Sequence, residues 1–484
     1  MCLFRERLKS SVILILIVNM LFLTSEIWFV HSYSTVGEKL VNYVRSNTLV
    51  QKLFPADREY SIPKENLSLP RKFLINDGSL WMVYYNTDIG FSPIEERTRS
   101  IINGFLQGDI TAVRKVDNET WEAGLESLSI YVEYPIAFSR EIFCRIMGVD
   151  EELAPSEIEY IHDFVIIPSS ASSDICLLVR DYEEKENIYA YILSSKYQFP
   201  ASDLNVYTTG EDYYEPAFST GLFIESESNV SLSPLVLFSD SRPTTAVITP
   251  VSLINTHSEK QLLENFSFNS NGSNNYKSDD GVLTYIENYG SIKIYPDSLF
   301  EYKAVSGDRG IELKNSATAY DALNSAIDFA EKTWGSISRE PLNILVTSNL
   351  SDFNYDEAYT FKFNYYYNGR PVEIDLGKRY GHDDMNCAVE VTLKSGRIIS
   401  YRQYMVSYHT DYSHQIEDNF LTALDNFVHT IGTSSNEPIV IRDIYIGYLD
   451  SGNMQELSAR WLATTVDSSK IYYYTPETKE VTED

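Results

Sequence analysis

Few residues in this chain combine the type and spacing that metal binding requires. His409 and His414 are five positions apart, a spacing that aligns two side chains neither on a helix nor on a strand. The HExxH and CxxC patterns of zinc sites do not occur. His382-Asp383-Asp384 offers cation ligands but follows a polar, glycine-containing stretch, so we predict a solvated loop there. The sequence therefore predicts no metal site and no cofactor.

Nucleophile motifs are missing as well. The GxSxG pattern does not occur, and Ser61-Ile62-Pro63-Lys64 has the SxxK spacing but a proline that disfavours the helical turn on which that motif depends. Two carboxylates for glycoside hydrolysis stay an open alternative, because the separation of 69 acidic side chains in space cannot be read from a sequence. Since several catalytic classes fail together, we predict no catalytic residue and a non-enzymatic protein.

Polar residues with a more specific meaning interrupt the most apolar stretch of the chain. Val12–Val30 is about as long as the ~20 residues that cross a hydrocarbon core as a helix. Asn19 and Glu26 are seven positions apart, so they share one helical face. Polar groups at such a depth favour contact with a partner helix, which is the role we predict for both. For Glu26 the alternative is snorkelling to the outer interface beside Trp28, which we interpret as an interfacial anchor.

The flanks of this stretch predict its orientation. The basic cluster Arg5–Lys9 precedes it and no comparable cluster follows, which places the N terminus in the cytoplasm and the remainder of the chain outside. We therefore predict a cytoplasmic tip at 1–9, one transmembrane helix at 10–31 and a juxtamembrane stalk at 32–54, in a single-pass protein of the cell membrane. The alternative is a cleaved signal peptide, since Val12–Leu23 has the length of its apolar region.

The composition excludes some partners and leaves others open. The chain has a formal net charge of −30, and such a surface repels nucleic acid and anionic lipid headgroups. Tyrosine is abundant, with 36 residues, which suits sheets and contact surfaces. Cys144, Cys176 and Cys387 lie outside, an odd number without regular spacing, so no disulfide framework is predicted. Both a Cys144–Cys176 bridge and three free thiols stay open.

Periodicity and turn residues divide the ectodomain into three parts. Residues 55–266 contain a capped helix and several short strands. The polar stretch 267–281 is predicted to be a linker. Residues 282–484 run a strand–helix pattern twice, at 282–350 and 356–480, which suggests two related halves. We predict the α+β class: an N-terminal transmembrane helix, then a multi-domain ectodomain of antiparallel sheets with helices packed on one face.

Apolar stripes predict the helices of the two C-terminal halves. One covers Tyr320–Trp334 and is predicted to end at Gly335, and the other covers Ile416–Ile431. After the alternating strand Tyr359–Tyr367, Asn368-Gly369 predicts a tight hairpin turn.

Several segments match the hydrophobic signatures of one known family. They are the basic cluster that leads into Leu21–Phe29, and, toward the C terminus, Gly290–Ala304, Tyr359–Ile374, Ile441–Tyr448, Ala459–Thr465 and Ile471–Thr478. Through these residues nearly the whole chain resembles the YycH family, extracytoplasmic regulators of the WalK (YycG) sensor histidine kinase. The companion YycI proteins share a similar C-terminal module but are usually much shorter, which favours YycH. Ala459-Arg460-Trp461 departs from the Pro-Ala-Trp expected in the family.

The resemblance implies a single-pass protein that forms a complex with a YycI-like companion and the kinase. Its transmembrane helix and ectodomain would modulate kinase activity through protein contacts, and the resemblance carries no catalytic residue to this chain. One alternative is a cell-wall-associated protein that binds glycan or peptide with tyrosine-rich surfaces. Another is an extracytoplasmic hydrolase, which requires two carboxylates that converge in one cleft.

Overall fold

The computed structural model describes residues 69–483. Its gaps are at 79–80, 86–90, 169–173, 182–186, 195, 197–214, 218–229, 233–235, 239–243, 270–273, 314–315, 349, 351–352, 378, 417, 435–438, 466–470 and 476–479. The predicted cytoplasmic tip, transmembrane helix and stalk lie outside the described residues. Those that are described belong to one compact unit, and none of their helices is both long and apolar enough to cross a membrane.

Strands outnumber helices in the described residues. The α-helices are α1 Phe91–Leu106, α2 Asn118–Glu126, α3 Arg140–Met147, α4 Thr256–Asn265, α5 Ala319–Ile337 and α6 Phe420–Ser434. The first strands are β1 Lys72–Asn76, β2 Trp81–Tyr85, β3 Ile110–Val116, β4 Ser129–Ser139, β5 Tyr160–Pro168, β6 Ile175–Asp181, β7 Ile188–Leu193, β8 Glu215–Ala217, β9 Val230–Leu232, β10 Val236–Phe238, β11 Thr244–Ser252, β12 Asn274–Lys277, β13 Leu283–Ile286, β14 Gly290–Ile294 and β15 Leu299–Ala304. The remaining strands are β16 Ile311–Glu312, β17 Ile344–Val346, β18 Tyr359–Tyr367, β19 Arg370–Ile374, β20 Val389–Lys394, β21 Arg397–Tyr404, β22 Val406–Gln415, β23 Ile439–Asp450, β24 Leu457–Ser458, β25 Arg460–Thr465, β26 Ile471–Thr475 and β27 Glu480–Glu483.

The N-terminal sheet has seven strands in the order β2-β1-β4-β5-β6-β7-β3. Every neighbouring pair in it is antiparallel. The central strand β4 reads SIYVEYPIAFS and is buried along almost its whole length. A strand buried on both faces carries apolar residues at successive positions, since each face needs its own core.

Helices pack on both faces of this sheet. On one face α1 and α3 place Phe105 and Phe143 against Phe164 of β5. On the other face α2 packs Trp121 and Leu125 against a separate apolar cluster. The predicted packing of helices on one face is therefore wrong for this sheet, because its central strands present apolar side chains in both directions.

The C-terminal sheet is longer and mostly antiparallel. Its main path runs β12-β13-β14-β15-β21-β20-β18-β19-β23-β25-β26-β27, with β16, β17 and β9 paired beside it. The β19–β23 and β9–β23 pairs are parallel. The ring of Phe266, which follows α4, contacts Phe300, Phe329 of α5 and Tyr401. Near the other end, α6 packs Phe420 against Trp461 of β25. The predicted α+β class is confirmed.

The polar segment 267–281 contains a strand, contrary to its prediction as a linker. Asn274–Lys277 form β12, which pairs antiparallel with β13, and the Gly281 amide closes the connecting turn on the Ser278 carbonyl. Strand pairing also crosses the predicted boundary, since β11 pairs with β22 and β9 with β23. β12 lies at the end of the sheet and exposes Tyr276 and its neighbours. An exposed edge strand needs no apolar alternation, which explains the polar composition.

Two local predictions from glycine have different outcomes. Helix α5 begins after the N-cap Thr318 and continues to Ile337, past its predicted end at Gly335. A glycine inside a helix costs only about 0.5–1 kcal/mol relative to alanine, so it does not by itself end one. Asn368 and Gly369 both have positive φ, 46° and 74°. The predicted tight hairpin turn between β18 and β19 is therefore confirmed.

Candidate functional site

The residues predicted to contact a partner in the membrane cannot be placed. Asn19, Glu26 and Trp28 lie outside the described residues. The structure does not bring them together with any other group, and their roles stay predictions.

A row of buried charged side chains crosses the second face of the N-terminal sheet. In register, Lys72 of β1 lies opposite Glu133 of β4, and Glu133 lies opposite Asp163 of β5. The Arg180 guanidinium of β6 continues the row, 2.8 Å from Asp163 Oδ2. The Tyr131 hydroxyl lies 3.1 Å from both a Glu133 and an Asp163 carboxylate oxygen and joins them. The row exists because one polar residue at the same level of each strand points to the same face.

Strand β23 of the C-terminal sheet closes this row. Asp443 Oδ2 lies 2.5 Å from Arg71 Nη2, and Asp443 Oδ1 lies 3.5 Å from Lys72 Nζ. Both cations also pair with Glu133, at 3.8 Å from Arg71 and 3.4 Å from Lys72. The guanidinium carbon of Arg71 lies over the Tyr445 ring, 4.9 Å from its centre. Two cations and two anions thus join the two sheets, and we call Arg71, Lys72, Glu133 and Asp443 the charged joint.

Three of the four side chains of the joint are buried, and Arg71 is partly exposed. Lys72 is 1% exposed and Asp443 is 4% exposed. Burial alone would raise the pKa of the neighbouring Asp163 carboxyl, but Arg180 and His162 together outweigh burial and hold that pKa below its ordinary value. Such pairs add little net stability compared with an apolar core, yet removal of one partner is costly because it leaves an uncompensated buried charge.

A further carboxyl lies next to the joint. Glu373 of β19 is buried and accepts hydrogen bonds from the Tyr445 hydroxyl, at 2.9 Å, and from the Asn364 side chain. Burial raises the pKa of Glu373, which the two hydrogen bonds and the Arg71 charge only partly oppose. Tyr445 therefore contacts both the joint and a carboxyl that favours its neutral form.

The sequence prediction for His382 is wrong. This side chain does not lie in a solvated loop but is fully buried, and its Nε2 lies 3.1 Å from Asp297 Oδ2. Its Nδ1 lies 2.9 Å from the Asp383 carbonyl oxygen, and the Tyr295 ring packs edge-on against the imidazole. Among the described residues no group of three His, Cys, Asp or Glu side chains could hold a metal ion.

Cys144, Cys176 and Cys387 are free thiols in the structure, and Cys144 and Cys387 are buried. Burial raises the pKa of Cys144 to about 11 and that of Cys387 well above its ordinary value. Of the two alternatives that the sequence left open, the structure has the free thiols.

A polar cleft of about 270 Å³ lies at the start of α5. Its walls come from β16, from the residues just before α5, from Tyr355 and from the Ser395-Gly396 turn between β20 and β21. Glu312 and Asp321 both line it, so two carboxylates do share one cleft. Each already has a partner, because Glu312 pairs with Arg397 at 3.1 Å and Asp321 accepts from the Thr318 hydroxyl at 2.9 Å.

Sequence reasoning missed the charged joint, although a signal was present. Glu133 interrupts the apolar strand SIYVEYPIAFS, and Asp443 interrupts the apolar stretch IRDIYIGY. An acidic residue in a strand buried on both faces needs a buried partner. The partners could not be identified, because Arg71 and Asp443 are far apart in the chain.

A seven-stranded and a fifteen-stranded sheet with helices packed against them, joined through the charged joint, define an α+β protein. The crystal structure of YycH from Bacillus subtilis has a similar fold, with a TM-score of 0.55 over 85% of this chain and 97% of that chain, at 13% identity. The resemblance to the YycH family is thus confirmed at the level of the fold. The crystal structure of an uncharacterized protein from Eubacterium rectale matches 57% of this chain and 89% of that chain, with a TM-score of 0.34 and 10% identity. No family model matches the sequence, and no curated protein matches it significantly.

Proposed function

We propose that this chain is a non-enzymatic, membrane-anchored regulator of a sensor histidine kinase of the WalK (YycG) type. The observation that carries this proposal is the fold shared with YycH, which extends over 85% of this chain and 97% of that one. Similar folds host unrelated functions, so the apolar N-terminal segment supplies the second argument. Val12–Val30 is long enough to anchor the chain beside a membrane-bound kinase.

In this proposal the ectodomain lies outside the cytoplasmic membrane and the N terminus inside. Asn19 and Glu26 contact the kinase or a YycI-like companion, and Trp28 anchors the helix at the outer interface. A contact can shift the kinase between active and inactive states only if it differs in strength between them. The charged joint supports this mechanism. Because ion pairs connect the two sheets, a displacement that a partner causes in one sheet would also move the other.

Reconstitution tests the proposal directly. The full chain and the WalK-type kinase of the same bacterium are placed in lipid nanodiscs, with and without the YycI-like companion, and kinase autophosphorylation is measured. We expect the chain to change the initial rate, and we expect Asn19→Leu and Glu26→Leu to reduce that change. Thr24→Leu is the matched control, because this residue lies about 140° around the helix from Asn19.

Site-specific photo-crosslinking from positions 19 and 26 in native membranes identifies the neighbours independently. A kinase or YycI-like adduct supports contact within the bilayer. An unchanged phosphorylation rate with lipid-only adducts contradicts the proposal. Recovery of a mature chain that begins near Thr35 shows a cleaved signal peptide and contradicts the membrane-helix mechanism.

A further inference from the structure

We infer that the polar cleft at the start of α5 binds a neutral saccharide unit. The inference does not rest on kinase regulation, and it concerns residues that the charged joint does not include. Three features of the cleft carry it: two hydroxyls that converge, charges that are already paired, and one exposed aromatic ring.

The converging hydroxyls belong to Ser316 and Tyr355. A carbon placed at the Cβ position of Gly396 would lie 3.0 Å from both Ser316 Oγ and Tyr355 Oη, so both hydroxyls point to the same turn. Ser316 is only 7% exposed, and its side chain lines the cleft. Neither hydroxyl has a hydrogen-bond partner among the described residues. Each can therefore donate to and accept from the hydroxyls of a ligand.

The charges in the cleft do not favour an anion. Arg397 donates to the Gly310 carbonyl oxygen at 3.2 Å and to Glu312 at 3.1 Å. Asp321 stands in the first turn of α5, where its charge compensates the positive end of the helix dipole. One guanidinium faces two carboxylates, so no positive charge is left over for a phosphate or a carboxylate ligand. A guanidinium has five N–H donors and a carboxylate about four acceptor sites, and the bonds named above use only some of them. The remaining donors and acceptors can bind neighbouring hydroxyls of a sugar ring.

The aromatic wall is Tyr355, whose side chain is 40% exposed beside the cleft. A sugar ring has an apolar face of C–H groups that packs on an aromatic ring, while its rim of hydroxyls needs polar partners. Leu313 is the one large aliphatic side chain among the described residues that line the cleft, which disfavours an apolar ligand. The volume of about 270 Å³ is close to the lower end of ligand pockets and suits a single ring of a longer glycan.

The test is titration calorimetry on the full chain in micelles of a detergent without a sugar headgroup. The probes are chitotriose, cellotriose and inorganic phosphate. We expect at least one trisaccharide to bind and phosphate not to bind. Tyr355→Ala should weaken trisaccharide binding by about fivefold or more. Tyr276→Ala is the matched control, since Tyr276 is 55% exposed on β12 and does not line the cleft.

Ser316→Ala provides a second test if Tyr355→Ala does not fold. It removes a hydroxyl without a protein partner, so thermal stability should stay unchanged while trisaccharide binding weakens. The inference is overturned if neither trisaccharide binds at about 10 mM, if the Tyr276 control weakens binding equally, or if phosphate binds in their place. Release of reducing sugar during the titration would confirm saccharide binding but contradict the non-enzymatic function. The experiment therefore distinguishes failure of the saccharide site from failure of the proposed function.

Discussion

Removal of Asp443 should destabilise the protein by far more than removal of an exposed acidic residue. The joint holds two cations against two anions, and Asp443→Ala removes one of the two anions and leaves Arg71 and Lys72 paired with Glu133 in the joint. At 3.5 Å and an effective dielectric constant of about 20, the lost attraction to Lys72 is about 5 kcal/mol before desolvation is considered. Breakage of a buried pair typically costs about 3–5 kcal/mol, a large part of the ~5–15 kcal/mol that stabilises a native fold.

Urea unfolding of the full chain in micelles, followed by tryptophan fluorescence and circular dichroism, measures this loss. Glu264→Ala is the matched control, because the Lys260–Glu264 pair is about 60% exposed on both sides and should cost less than about 0.5 kcal/mol. The double variant Lys72→Met with Asp443→Leu restores charge balance and leaves Arg71 paired with Glu133. We expect it to recover most of the loss.

Two results would refute this reasoning. If Asp443→Ala costs no more than Glu264→Ala, the joint is open to water and its charges are screened. If the double variant is no more stable than the single one, charge imbalance is not the cause of the loss.

Three further predictions concern titration, thiol reactivity and packing. Burial raises the pKa of Glu373, so this carboxyl stabilises the fold fully below its unfolded pKa of about 4.3 and loses that contribution as the pH rises through its folded value. Glu373→Gln cannot ionise, so its stability relative to wild type should improve between about pH 5 and pH 8 in urea unfolding, and a flat difference would contradict this. With a pKa of about 11, roughly one Cys144 thiol in a thousand is ionised at pH 8, so alkylation mapped by mass spectrometry should be slow until urea unfolds the chain. Gly447→Ala places a carbon 2.7 Å from Leu462 Cδ1 and should cost about 1–3 kcal/mol, whereas Gly335→Ala meets open space in α5 and should stabilise by about 0.5–1 kcal/mol. Melting temperatures that move in the same direction for both glycine variants would contradict the packing argument.

Local periodicity predicted many of the elements well. The strand Tyr359–Tyr367 has the predicted bounds, and the helix predicted within residues 55–266 is present as α1. These elements expose one face or end at strong turn signals, so alternation and capping residues are visible in the sequence. The apolar stripe of α5 is likewise buried, with Leu323, Ile327 and Trp334 in the core.

What local patterns could not predict depends on distant partners. β3 is exposed on both faces, so it has no apolar alternation to detect. β12 was hidden in a polar stretch because its pairing with β13 is made by the backbone and needs no particular side chain. The charged joint and the cleft at α5 combine residues from separate parts of the chain. The resemblance to the YycH family predicted the fold but no site residue, because its signatures are hydrophobic and describe the core.

The order in which strands pair has a consequence for how the chain reaches its fold. The pairs β11–β22 and β9–β23 can form only after the later strand of each pair has been made. Likewise, Arg71, close to the first described strand, can pair with Asp443 only when β23 is present. Contacts between distant residues are slow to form, because closure of a long loop costs entropy before any pairing rewards it. A chain made from its N terminus would therefore leave β9 and β11 without these partners until β22 and β23 have been made. Strand edges exposed for that long are prone to aggregation, so this chain should depend on folding helpers more than a protein with local pairings does.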